Sequence, residues 1–270
     1  MCQRILAFLF CAAFASSATA VTITFDTEDD FSTALINGQI VDAAFDNTDL
    51  EFGNLFTLSS TQIGGGSGHL GATIFDTDPN GPNQSSQDPD LLIDQGNILI
   101  LQSNNPGSAG DTSVDGSVGL VYDNPNDEAD FGDRGSVVFS FLSPVFLQSF
   151  ELVDANGGFG ASVILTDQSN NTRTFTVNSM FSKDINTCGV CDGFQLLDLT
   201  NLAVQVGEGG GTASGVEDLG FDANDVISLE IQFIGNPSSG GLDNLTFIPE
   251  PALAVLLACG MAAWGLRSRA

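Results

Sequence analysis

Cations are scarce in this chain of 270 residues: six Lys and Arg stand against 34 Asp and Glu, a formal charge of −28. Between Val21 and Ile248 the only bases are Arg134, Arg173 and Lys183, and the formal charge there is −30. Such a surface repels nucleic acid and anionic lipid, which excludes both as partners of the body, and it attracts cations. Histidine is nearly absent too. His69 is alone, inside Gly64-Gly65-Gly66-Ser67-Gly68-His69, a tract suited to a turn rather than to a positioned base. No G-x-S-x-G nucleophile elbow stands at a strand-to-helix junction. The Gly207 to Gly215 stretch lacks the strand and helix of a phosphate cradle. With so many acids some carboxylate pair is inevitable, and hence uninformative about glycoside hydrolysis. The expectation is a protein that is not an enzyme.

Aromatic side chains with a polar tip are equally rare, with one Trp and one Tyr against 21 Phe. Exposed Trp and Tyr build most sugar platforms, whereas Phe fills cores, so the phenylalanines are expected inside. Trp264 lies in the C-terminal tail. A carbohydrate-binding role would therefore rely on a groove lined by Tyr122 and asparagines.

Cysteine is sparse. Cys2 and Cys11 precede the body and Cys259 follows it, which leaves Cys188 and Cys191 in Thr187-Cys188-Gly189-Val190-Cys191-Asp192-Gly193. A zinc site needs two more ligands, and a thioredoxin-like pair belongs at the start of a helix after a strand. The pair is expected to close a small disulfide loop in an oxidising compartment.

The ends supply that compartment. Met1-Cys2-Gln3-Arg4, an apolar run from Ile5 to Ala15 and Ser16-Ser17-Ala18-Thr19-Ala20 have the basic start, apolar core and A-x-A site of a signal peptide, so residues 1–20 are expected to be removed. Cys11 offers a lipoprotein signal instead, but the bulky Phe10 before it sits where lipidation signals want a small residue. At the other end Pro249-Glu250-Pro251 precedes an uncharged stretch from Ala252 to Leu266 and then Arg267-Ser268-Arg269-Ala270. As a helix that stretch covers about 22 Å against a hydrocarbon core of about 30 Å, a marginal span. Its arginines favour the cytoplasmic side and leave the body outside.

The tail, residues 249–270, resembles the PEP-CTERM sorting signal, in which a Pro-Glu-Pro motif, a short hydrophobic helix and a basic end are processed by an exosortase. That resemblance implies a Gram-negative envelope protein, exported to the cell surface or extracellular matrix, with Pro249, Glu250 and Pro251 as sorting motif and the membrane engaged through the helix.

Residues 21–248 lack long helical periodicity. They consist of short runs rich in Val, Ile, Phe, Leu and Thr bounded by Gly, Asn, Asp and Pro: Val21 to Asp26, Gly71 to Asp76, Asn97 to Gln102, Ser117 to Tyr122, Ser136 to Leu142, Val145 to Val153, Ser162 to Thr166, Thr172 to Val177, Asp225 to Ile234 and Leu242 to Ile248. Alternation such as Val137-Val138-Phe139-Ser140-Phe141 gives one buried and one wet face. The fold class expected is all-β, a β-sandwich of jelly-roll type. Segments such as Gln87-Asp88-Pro89-Asp90-Leu91 and Gly241-Leu242-Asp243-Asn244-Leu245-Thr246-Phe247 resemble those of exported, uncharacterised β-sandwich domains that precede such tails. That resemblance implies a secreted jelly-roll-like domain and supplies no catalytic residues.

Calcium is the cofactor expected, because alternating oxygens suit a hard cation. Asp76-Thr77-Asp78-Pro79-Asn80-Gly81 has the spacing of the first half of a calcium loop. Gln87 stands where the loop's bidentate Glu would be, so Asp88 and Asp90 are the acids left to join Asp76, Asp78 and Asn80. A solvated turn is the alternative. A second cation position would tie the first strand to the last through Asp26, Glu28 and Asp243, by analogy with jelly-roll modules; Asp123, Asn126 and Asp127 make a third acidic turn. The function expected is a structural or adhesive surface protein. The alternative is a module that binds exported polysaccharide.

Overall fold

The computed structural model describes residues 19–43, 51–62, 71–84, 91–102, 114–115, 121–122, 125, 135–154, 160–178, 180–182, 193–233 and 240–250. Among them the regular structure is all strand: β1 Val21–Ile23, β2 Phe56–Gln62, β3 Ala72–Asp76, β4 Asn97–Leu101, β5 Val114–Asp115, β6 Val121–Tyr122, β7 Gly135–Val153, β8 Ala161–Asp167, β9 Thr172–Val177, β10 Phe194–Asp198, β11 Gln205–Val206, β12 Thr212–Glu217, β13 Val226–Phe233 and β14 Gly241–Pro249. The all-β expectation holds. Every pairing between these strands is antiparallel.

Two runs expected as separate strands, 136–142 and 145–153, form one strand of 19 residues, β7. Its first half pairs with β2 and β13, its second half with β10 and β14. The change of partners falls at Leu142-Ser143-Pro144. Pro144 has no N–H to give a ladder, so the strand turns a corner there without breaking. One layer therefore runs β2, β7 (135–141), β13, β8, β9, β12, β11; the other runs β10, β7 (145–153), β14, β4, β3, with β1 sharing the free edge of β14.

The layers close on one core. Phe56 of β2 packs on Phe139 of β7, and Phe56 and Phe141 of β7 both meet Phe247 of β14, with Phe56 to Phe247 at 6.5 Å and Phe141 to Phe247 at 5.3 Å between ring centroids. These rings are buried, as expected for phenylalanine, and such edge contacts add about 0.5–1.5 kcal/mol each beyond area burial. Strands β3 and β4 are apolar on both faces because residues 91–93 cover their outer side, where Phe75, Ile98 and Ile100 form a second cluster with Leu91 and Ile93.

Both flanks are stitched. Residues 40–43 cross from one layer to the other: Ile40 bridges Thr73, and the Ala43 amide donates to Leu58 O at 2.9 Å. The buried Asp42 carboxylate accepts from Ser60 Oγ and from the Ala72 amide. On the other flank Asp198 N donates to Gln205 Oε1 and Gln205 Nε2 to Asp198 O, joining β10 to β11.

Candidate functional site

The outward face of the larger layer is a ladder of hydroxyls fixed by register. Thr61, Ser136, Gln232, Ser162, Thr176 and Ser214 stand side by side across six strands. The next row is Ser59, Val138, Glu230, Ile164, Thr174 and Val216. A third runs Thr57, Ser140, Ser228, Thr166 and Thr172, where Asp218 Oδ2 accepts from the Thr172 amide and hydroxyl at 2.9 Å. Neighbours within a row are about 4.8 Å apart and rows about 6.8 Å apart. Ser136 is buried and hydrogen-bonded to Thr61 at 2.8 Å, while Thr176, Ser214 and Val216 are exposed, so the face opens toward β9 and β12. Its charges are the acids Glu230 and Asp218. Arg173, one residue out of phase on β9, points to the opposite side, where it bonds Glu217 and Leu199 O. Sequence reasoning missed this surface, because its regularity appears only when strands are laid in register, although Thr172-Arg173-Thr174-Phe175-Thr176 carries the alternation in one strand.

A second feature lies where the edge of β14 changes partner from β1 to β4. Asp243 is buried there, directly opposite Glu151 of β7. The ladder slips between Asp243 and Thr246, and Asn244 adopts φ 52°, in the left-handed region. That conformation turns the Asn244 amide onto Asp243 Oδ1 at 2.7 Å, and its side-chain Nδ2 reaches Asp243 Oδ2 at 3.2 Å and Glu151 Oε2 at 2.9 Å. Asp26, just after β1, accepts from the Asn97 amide at 2.9 Å, and Gly96 lies so close that a Cβ there would sit 2.6 Å from Asp26 Oδ1. Burial pushes the Asp243 carboxyl up to about 8; the Asn244 amide opposes this, and the nearby Glu151 and Asp26 add to it.

The structure thus brings Asp26 and Asp243 together, as the analogy with jelly-roll modules anticipated, and adds Glu151, which sequence reasoning missed. Glu28 follows on the same segment, its amide bonded to Thr33 O at 2.8 Å. Asp76, Asp78 and Asn80 form successive Asx turns: Asp76 Oδ1 accepts from the Asp78 amide at 2.9 Å, and Asp78 Oδ1 from the Asn80 amide at 2.7 Å. The loop is held from beneath by Asn83, which is buried and donates to Asp76 O and Asn37 Oδ1. Asp88 and Asp90, the other two expected ligands, lie outside the described residues, as do His69, Cys188, Cys191, Asp123, Asn126, Asp127 and Pro251. Among the described residues no group of three or more His, Cys, Asp or Glu side chains is arranged to hold a metal ion. Of the sorting motif, Pro249 is the last residue of β14, paired with Val145, and the Glu250 amide donates to Pro144 O at 3.0 Å.

No protein-family model and no curated protein matches the chain. Among solved structures it is similar to the family 11 carbohydrate-binding module of the cellulosomal cellulase Lic26A-Cel5E of Clostridium thermocellum, at 8% identity and a TM-score of 0.37 over 87% of this chain and 96% of that one. A family 11 module from Clostridium thermocellum in complex with a β-1,3-1,4-mixed-linked tetrasaccharide gives 9% identity and a TM-score of 0.35 over 87% and 98%. Likeness at this level says nothing of what the present chain binds.

Proposed function

We propose that the chain is an exported envelope protein of a Gram-negative bacterium, sorted through Pro249-Glu250-Pro251 by an exosortase-type enzyme and held at the membrane by the apolar helix after it. Its body, of jelly-roll type, serves as a non-catalytic adhesive module at the cell surface or in the extracellular matrix. The observation that carries the adhesive role is the hydroxyl face across β2, β7, β13, β8, β9 and β12. It offers repeated donors and acceptors at a fixed spacing and no basic side chain, which favours a neutral polyol over an anionic polymer. A second copy carrying the same charge is opposed by repulsion. An uncharged exported polysaccharide is therefore the partner, and polysaccharide binding is the form that adhesion takes. Calcium is the stabilising cation in this reading, at Asp76, Asp78, Asn80, Asp88 and Asp90 or between Asp26 and Asp243.

Retention of the full-length protein on neutral and on acidic polysaccharides, with and without calcium, tests the reading. Neutral polymers should retain it, and replacing Thr174 and Thr176 together by Glu should weaken retention about tenfold, the worth of one to two hydrogen bonds. Retention unaffected by that pair, or confined to acidic polymers, would exclude the face.

A further inference from the structure

We infer that the folded body holds the sorting motif shut, so that processing passes through a state in which the end of β14 has peeled away from β7. The inference rests on the sorting role proposed above and adds a control that the body exerts over it.

The motif does not begin on a free linker. Phe247, Ile248 and Pro249 pair in register with Leu147, Phe146 and Val145. Pro249 has no N–H to give, and the ladder resumes one residue later, where the Glu250 amide donates to Pro144 O at 3.0 Å. Two of the three motif residues are thus fixed to the corner of β7. The anchor behind them is firm, because Phe247 and Val145 are buried and Phe247 packs on Phe56 and Phe141.

Chain length leaves no slack. From Glu250 to Ala252, where the apolar stretch begins, is two residues, which reach at most about 7 Å when fully extended. An enzyme working at the membrane on the motif must therefore meet the folded body at the β7 corner. Proteolytic enzymes commonly take their substrates as extended strands whose backbone groups pair with the cleft. Here the Glu250 amide is already committed to Pro144, so the cleft and the sheet compete for the same group. Opening needs only Ile248, Pro249 and Glu250 to separate, beyond the Phe247 anchor, which is local fraying rather than unfolding. The tightness of that short segment then sets the rate at which the chain is processed.

Two variants move the gate in opposite directions. A four-residue Gly/Ser spacer inserted between Ile248 and Pro249 frees the motif with its sequence intact. Replacement of Phe146 and Ile248, register partners on the half-exposed face, by a Cys pair ties the end of β14 down after export. In cells carrying the processing machinery, tail removal followed by mass should be about fivefold faster with the spacer, the factor one backbone hydrogen bond is worth. It should be slowed at least as much by the crosslink, with reductant restoring it. Hydrogen exchange on the purified full chain reads the lock without any processing, and the Glu250 amide should exchange about fivefold more slowly than a free amide, the same factor. An unprotected amide, or a protected one with rates unmoved by both variants, overturns the inference while leaving the sorting role standing. Absence of tail removal in every variant, with Glu250→Ala behaving like the parent, overturns the sorting role and this inference with it.

Discussion

The side-chain Nδ2 of Asn244 donates to both Asp243 Oδ2 and Glu151 Oε2, at 3.2 and 2.9 Å, and so joins residues that face each other on β14 and β7. Each carboxylate can take its own N–H of that amide, but Asp243 is buried directly opposite a second acid. The Asp243 carboxyl is accordingly held up to about 8, by burial first and then by Glu151 and Asp26. In the unfolded chain it titrates near 3.8. The folded state therefore keeps the proton longer, and this contribution to stability is complete below about 4 and lost as pH rises toward 8, by at most on the order of 5 kcal/mol. Asp218 and Asp167 act in the opposite sense. Asp218 is lowered by the amide and hydroxyl of Thr172; at Asp167 burial raises, but donors from Asn171, Asp222 and Ser169 outweigh it. Their contribution is present above the ordinary Asp value and is lost in more acidic solution. Without divalent cations, melting temperature should peak near pH 4–5 and fall toward pH 8. Asp243→Asn, which mimics the protonated form, should flatten the fall, and an unchanged slope in that variant would locate the titration elsewhere.

Calcium should counter the same fall. A ligand binding only the folded form at a hundredfold excess over its dissociation constant adds about 2.7 kcal/mol, which for a body of this size is about 5–10 °C in melting temperature. Magnesium at equal ionic strength should do much less, because it sheds water reluctantly. Two variants assign the position: Asp76→Asn with Asp90→Asn removes the response if the ion sits in the loop, and Asp243→Asn removes it if the ion joins Asp26 to Asp243. An equal response to calcium, magnesium and matched sodium chloride would mean general screening alone.

Much of the fold was legible because alternation survives in single strands. Val163, Leu165, Phe175 and Val177 face the core where period two puts them. The strand Phe56–Gln62 was missed because its outward residues are Thr57, Ser59 and Thr61 and its inward ones end in Ser60, which leaves too little apolar contrast to mark it. Thr212–Glu217 was hidden by Gly209-Gly210-Gly211 before it and by Gly215 within it. At Gly215 a Cβ would come within 2.8 Å of the Phe175 ring, so the glycine marks close packing rather than a loop. The site was less legible for a different reason. Asp26 and Asp243 could be paired by analogy, but Glu151 belongs to a run that reads simply as strand. The hydroxyl face is a property of strand order, which local pattern does not encode.

The cysteine pair gives a prediction that depends only on compartment. Chain taken directly from the envelope and denatured without reductant should show no free thiol at Cys188 or Cys191, because a loop this short closes readily once exported. Stoichiometric labelling of both would refute the disulfide and with it one support for export.

Arg173 provides the sharpest test of how the layers are joined. It is the one basic side chain among the described residues, and it lies on the inward side of β9. Its Nε and Nη2 donate to Glu217 Oε2 at 3.0 and 2.7 Å, its Nη1 donates to Leu199 O at 2.9 Å just past β10, and its guanidinium lies 4.7 Å from the centre of the Phe221 ring. One planar group thus links both layers and caps the end of the core. Lysine keeps the charge but has neither the fork nor the flat face, and it cannot serve Glu217 and the Leu199 carbonyl at once. Arg173→Lys should therefore cost about 1–3 kcal/mol by chemical denaturation, chiefly through the buried carbonyl left unpaired. Glu217 is partly exposed and can turn to water, so Glu217→Gln should cost under about 1 kcal/mol. If Glu217→Gln costs as much as Arg173→Lys, the ion pair rather than the link to Leu199 holds this flank. The pairing of β9 with β12 should then loosen in high salt, which the link to the Leu199 carbonyl resists.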